Sequence, residues 1–184
     1  MKTLNLWIPG EPKPKQSARF RQITTKSGKS FMHSYQKKDV IDAANNVRLT
    51  VINQLPDDFK PHGGPISVEK LIYFFTPIKT MPKKHANLIE NGFTIPKITK
   101  PDLTDNLSKG VFDALESIVF NNDSQIFSVN NAYKLYGSTP GIRIIMHLYE
   151  DMNELVNASM DYIVSEAEKV QQDLFSLADG TVIN

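Results

Sequence analysis

Three carboxylates and a lysine gather in the stretch Lys100–Gln125, KPDLTDNLSKGVFDALESIVFNNDSQ. Asp102 and Asp105 follow a proline, Lys109 and Asp113 come next at helical spacing, and Asp123 sits in a polar Asn/Ser turn. Carboxylate oxygens are hard ligands that suit Mg²⁺, and an ammonium beside them can offset charge on a phosphate. The grouping suggests a metal-dependent phosphodiester site.

The elements that must position these groups can be read locally. Pro101 disfavours helix at Lys100, and Asp102 or Asp105 can cap the segment that follows. A helix starting near Asp105 puts Leu107, Val111, Ala114, Leu115 and Ile118 on one apolar stripe. Asp105, Lys109 and Asp113 repeat at i, i+4, i+8 on another face, so their side chains are neighbours. The helix is expected to end before Val119-Phe120, and Asn121-Asn122-Asp123-Ser124 reads as a turn into a strand. Taken singly each residue has an ordinary explanation: Asp105 as an N-cap, Asp113 as an ion-pair partner of Lys109, Asp123 as a turn residue.

Read as one string, the stretch resembles the signature of RusA-type Holliday junction resolvases, K-P-D-x-D-N-x-x-K, then D-A-L, then D-D-[SA]-Q-[IV]. The matching residues are Lys100, Pro101, Asp102, Asp105, Asn106 and Lys109, then Asp113, Ala114 and Leu115, then Asn122, Asp123, Ser124, Gln125 and Ile126. The resemblance covers about Leu4 to Leu148 and points to a phage- or prophage-like member. It implies that Asp102, Asp105 and Asp123 are catalytic metal ligands and that Lys109 is the catalytic lysine. Two departures stand out. Leu103 and Thr104 separate the first two aspartates where the signature has one residue, and Asn122 replaces the first Asp of the later pair. Residues three apart in an extended segment face opposite ways, so Asp102 needs a turn or helical bend at Leu103-Thr104 to aim with Asp105. Asn122 keeps a carbonyl acceptor but brings no charge, leaving Asp123 as the better ligand.

Composition sets the surroundings. A chain of 184 residues, 40% hydrophobic and 22% charged, fits a single globular domain with its own core. Cysteine is absent, which excludes disulfides and thiolate metal sites. His33, His62, His85 and His147 are isolated from one another, which argues against zinc. No apolar run approaches the length of a membrane span and no signal peptide is evident, so a cytoplasmic protein is expected. The net charge of +1 hides an asymmetry: residues 1–100 carry 17 Lys/Arg against 7 Asp/Glu, and residues 101–184 carry 4 against 13. A half of +10 beside a half of −9 points to a polyanion-binding surface next to an acidic site or tail.

In chain order, Thr3–Ile8 alternates as a first strand, and Pro9-Gly10-Glu11-Pro12 ends it. Lys13, Lys15, Arg19 and Arg21 fill the following loop, where phosphate contact competes with plain solvation as an explanation. The resembled family has a basic G-x-P-x-x-K-x-R-x-R loop at this place. Ser27-Gly28-Lys29-Ser30 belongs to a hairpin turn; position 23, where a P-loop needs its first glycine, is Ile, so it is not a P-loop. Tyr35–Leu55 reads as an amphipathic helix, Pro65–Pro77 as a central strand, and Met81–Asn91 as a short helix. Gln125–Tyr136 and Gly141–Tyr149 read as two strands joined in a terminal antiparallel hairpin. Lys134 on the first of them matches a lysine of the resembled family, where phosphate contact competes with simple exposure as its role. Asp151–Ala178 reads as an acidic helix.

The expected architecture is α+β: a single domain with a mixed β-sheet packed by helices and an extra C-terminal helix. A RusA-like nuclease domain spans 1–150 and an acidic helical extension spans 151–184. The resemblance implies Mg²⁺-dependent endonucleolytic cleavage of four-way junction DNA by paired symmetric nicks, in recombination and repair, by a homodimer with no membrane attachment. The alternative is a catalytically impaired protein that binds junctions or other DNA without cutting.

Overall fold

The computed structural model of the chain describes residues 1–15, 19–25, 27–35 and 37–159. Alternating apolar residues build the first strand, β1 (Lys2–Pro9), with Leu4, Leu6 and Ile8 buried. A separate hairpin follows, β2 (Arg19–Thr24) with β3 (Ser30–Tyr35), turned through Gly28 at φ 81°. Helix α1 (Lys38–Ile52) buries Val40, Val47 and Val51 on one stripe. Strand β4 (Ile66–Phe75) leads to α2 (Lys83–Glu90) and the two-residue β5 (Ile95–Pro96). A π-helical turn, Leu103–Ser108, runs directly into α3 (Lys109–Leu115), and a 3₁₀ turn, Asp123–Gln125, opens β6 (Ile126–Tyr136). Strand β7 (Gly141–Leu148) follows, and residues 152–159 are helical. The rest of the expected acidic helix lies outside the described residues.

Five strands form one mixed sheet in the order β1-β7-β4-β6-β5. The expected α+β architecture of a mixed sheet packed by helices is what forms. Strand β4 is central, as its density of Ile, Val, Leu, Tyr and Phe predicts, and is parallel to β6 and antiparallel to β7. The expected β6–β7 hairpin does not form: β4 lies between the two strands. Strands two places apart are separated by about 10 Å, a gap the short Gly137–Pro140 connection can bridge across the end of β4. The Gly137 amide donates to Phe75 O at 3.0 Å, and a side chain at position 137 would press on the Phe74 ring. Alternation marks two consecutive strands well, but it does not say whether a third strand sits between them.

The core lies on one face of the sheet. Leu4, Leu6 and Ile8 of β1, Ile142, Ile144 and Met146 of β7, and Val68, Leu71, Tyr73 and Phe75 of β4 pack beneath Val47 and Val51 of α1 and Val111, Ala114 and Leu115 of α3. Each large apolar side chain of this layer contributes about 1.5–3 kcal/mol through burial. The layer holds α3 against α1, and the π turn that leads into it lies over the C-terminal half of β6. No described helix is long and apolar enough to cross a membrane.

Candidate active site

Asp102 is in extended conformation just before the π turn, and Asp105 lies within its first turn. The Leu107 amide donates to Asp102 O at 3.2 Å and the Ser108 hydroxyl to Leu103 O at 2.8 Å, both five-residue spans. Asn106 Nδ2 donates to Asp102 Oδ2 at 3.3 Å, so the carboxylate bends back over the turn. The bend required at Leu103-Thr104 is thus present. Both carboxylates are exposed, and Lys109, the first residue of α3, is exposed four residues beyond Asp105.

The segment entering this turn is tied to the sheet. Lys97 N donates to Lys134 O at 2.8 Å, and Lys134 Nζ donates to Thr99 O at 2.8 Å and Pro101 O at 2.7 Å. Lys97 Nζ donates to Thr99 Oγ1 at 2.7 Å and to Tyr136 OH at 3.2 Å, and lies over the Phe75 and Tyr136 rings. The Thr99 hydroxyl, and then the Lys97 and Lys134 charges, hold the Tyr136 phenol below its usual range, partly opposed by desolvation. Beneath the turn, burial pushes the Tyr73 phenol up, with the nearby Ser108 hydroxyl partly opposing. Among the described residues the Tyr73 hydroxyl has no hydrogen-bond partner, because the nearby Ser108 hydroxyl donates to Leu103 O instead.

Asp123 is elsewhere. It sits in the 3₁₀ turn at the start of β6, whereas the Asp102 end lies over Lys134, eight residues beyond Ile126. At a rise of about 3.3 Å per strand residue, the two ends are roughly 26 Å apart. Among the described residues no group of three or more His, Cys, Asp or Glu side chains is gathered to hold a metal. The structure therefore brings Asp102, Asp105 and Lys109 onto one turn but does not bring Asp123 to them within the chain. Asn122 proves to be a cap: its Oδ1 accepts from Ser124 N at 2.9 Å while Gln125 Oε1 accepts from Asn122 N at 2.8 Å. Gln125 Nε2 then donates to His62 O and Gly64 O, fixing the start of β6. This capping box was legible in the Asn-x-x-Gln spacing, but its tie to the His62 loop was not.

The basic loop lies beside α3. Lys15 N donates to Asn106 O at 2.8 Å, and Lys15 Nζ forms an ion pair with Asp113. Gly110 lets the loop approach: a Cβ there would stand 3.1 Å from Lys15 Cβ. Asp113 is thus paired across the fold with Lys15, and no ion pair joins it to Lys109 among the described residues. Arg48 Nη2 reaches Asp113 O at 3.5 Å. Lys13 and Arg21 are exposed, and Arg19 opens β2. Between the loop, α1 and α3 is a cleft of about 530 Å³, with Lys13, Lys15, Arg48, Asp39, Asp42 and Asp113 at its polar rim.

A sequence model of the family described as Endodeoxyribonuclease RusA matches residues 9–147. The chain belongs to the RusA endodeoxyribonuclease family. The match runs from the end of β1 almost to the end of β7, so it takes in the basic loop, the π turn, α3 and the Asp123 turn. The chain is also similar to an uncharacterized protein, YqaN, of Bacillus subtilis strain 168, at 33% identity over 84 residues. That alignment covers 45% of this chain and 57% of the relative's length. Membership in the RusA family makes the exposed Asp102–Asp105 turn beside a basic loop the candidate centre of a DNA endonuclease.

Proposed function

We propose that the chain is a Mg²⁺-dependent, structure-specific endodeoxyribonuclease that resolves four-way DNA junctions by paired symmetric nicks, acting as a homodimer. The observation that carries this reading is the π turn that sets the Asp102 and Asp105 carboxylates on one exposed bend with Lys109 at its end, in a chain of the RusA family. The donor set fits Mg²⁺, which is held by one or two carboxylates together with substrate phosphates. When bound, the ion supplies Lewis acidity at the phosphate and a water of lowered pKa.

The chain's own residues do the rest. Asp102 and Asp105 hold the cation, and the Asn106 amide orients Asp102. Lys109 presents an ammonium where charge develops on the phosphate oxygens. Lys13, Lys15, Arg19 and Arg21 contact flanking phosphates and supply salt-sensitive, sequence-independent affinity. Lys15 must leave Asp113 to do so.

Asp123 enters through the dimer. At roughly 26 Å from the Asp102 end of its own chain it reaches that site only from a second copy, which makes each centre a product of two subunits. Two-fold symmetry then gives two centres, one for each strand of a junction that must be nicked twice. The separation within one chain also favours the second reading, a junction-binding protein impaired in cleavage. Incubating the protein with a synthetic four-way junction and with linear duplex, with and without Mg²⁺, separates the two. The proposal expects paired nicks in the junction that require the metal; tight junction binding with no nicks under any divalent cation would favour the binder.

A further inference from the structure

We infer that Lys134 is a positioning residue for the Asp102 carboxylate rather than a contact to DNA. The inference rests on the reading of Asp102 as a metal ligand.

Lysine has three N–H donors and no acceptor, and its value at a phosphate is that of a compact, freely moving charge. Lys134 has committed that charge. Its Nζ donates to Thr99 O at 2.8 Å and Pro101 O at 2.7 Å, the carbonyls on either side of Lys100, and its own carbonyl accepts from Lys97 N at 2.8 Å. One residue of β6 therefore holds residues 97–101 at three points, and the next residue is Asp102. Residues 99–101 form no helix or strand, and among the described residues no backbone amide pairs with Thr99 O or Pro101 O, so the ammonium is what satisfies them. The side chain is half-buried beside Tyr73, its register partner on β4. Its neighbours extend the same support: Lys97 Nζ grips Thr99 Oγ1 and Tyr136 OH, and Ser108 Oγ closes the turn onto Leu103 O. To reach a phosphate, Lys134 would have to release the peptide that aims Asp102.

The two roles separate experimentally in Lys134→Met, which keeps the stem and loses the donors, with Lys134→Arg as the conservative rescue. Three quantities are read: junction affinity as a function of salt with Ca²⁺ in place of Mg²⁺, the Mg²⁺ concentration for half-maximal nicking, and hydrogen exchange of residues 98–107 in the metal-free protein. A positioning role predicts that Lys134→Met leaves the affinity and its salt slope as in wild type and raises the Mg²⁺ requirement about 10–100-fold, the scale of losing a group that orients a metal ligand. Exchange in 98–107 should quicken, and Lys134→Arg should restore part of both effects. A phosphate contact predicts the reverse: weaker binding, a salt slope smaller by about 1, and unchanged exchange and Mg²⁺ requirement, which would overturn the inference. If wild type itself shows no metal-dependent nicking, the reading of the site fails, and the exchange and salt arms still decide what Lys134 does. If Lys134→Met does not fold, Lys134→Gln gives the same pair of outcomes.

Discussion

The amide of Leu107 donates to the carbonyl of Asp102 at 3.2 Å, closing a five-residue turn where an α-helix would close a four-residue one. That wider turn falls where Leu103 and Thr104 separate the two aspartates. Downstream of it the register recovers, and Leu107, Val111, Ala114 and Leu115 point into the core as the apolar spacing requires. Single π turns occur often at functional sites, where they re-aim side chains without breaking a helix.

The first prediction concerns that turn. Asp105→Asn keeps the size and exposure of the side chain and removes the charge proposed to bind the cation. Cleavage of a four-way junction should fall by at least about a hundred-fold, the scale of losing one preorganised electrostatic group, while junction binding stays as in wild type. Asp123→Asn should behave the same way. Band-shift and single-turnover nicking on one preparation check both halves, and normal cutting by either variant would remove that residue from the ligand set.

The Lys15–Asp113 pair gives a second prediction. Both side chains are about one-third exposed, so the pair adds no more than about 1 kcal/mol to stability. Asp113→Asn should shift the urea midpoint little and release Lys15. Junction affinity should rise, with a steeper salt dependence, because one more cation is free for phosphate. Unchanged affinity across salt would mean that Lys15 stays on the helix when DNA is bound.

A third prediction follows from Tyr73, whose buried hydroxyl has no partner among the described residues. Burial raises the folded-state pKa above that of the unfolded chain, about 10. The unfolded chain therefore loses its proton first, and the stabilisation present below pH 10 is lost as pH climbs beyond it. Tyr73→Phe should melt at or above the wild-type temperature at neutral pH and resist alkaline unfolding better. A Tyr73→Phe protein less stable at both pH values would show that the hydroxyl has a favourable partner.

How much of this was legible follows from the range of each signal. Alternation located β1, apolar density β4, apolar spacing α1 and the core face of α3, and Pro82 with Gly92 the ends of α2, because those signals depend on residues a few positions apart. The order of strands was not legible, since β4 separates β6 from β7 without changing the pattern of either. Asp102 and Asp105 could be joined from sequence because three residues separate them, and the need for a bend between them was visible. The distance from Asp105 to Asp123 could not be, because the length of α3 and the direction of β6 together decide it. The partners of Lys15 and Lys134 depend on contacts across the whole fold, which neither their charge nor the family resemblance could supply.

The decisive question is whether Asp102 and Asp105 of one subunit work with Asp123 of another. Inactive Asp105→Asn and Asp123→Asn proteins should be mixed, allowed to exchange subunits, and assayed on a four-way junction with Mg²⁺. In a centre built from two chains, each heterodimer pairs one intact Asp105 with one intact Asp123, so single nicks should return on mixing. If heterodimers form and no nicking returns, both aspartates serve the same chain's site and the two-subunit centre is wrong.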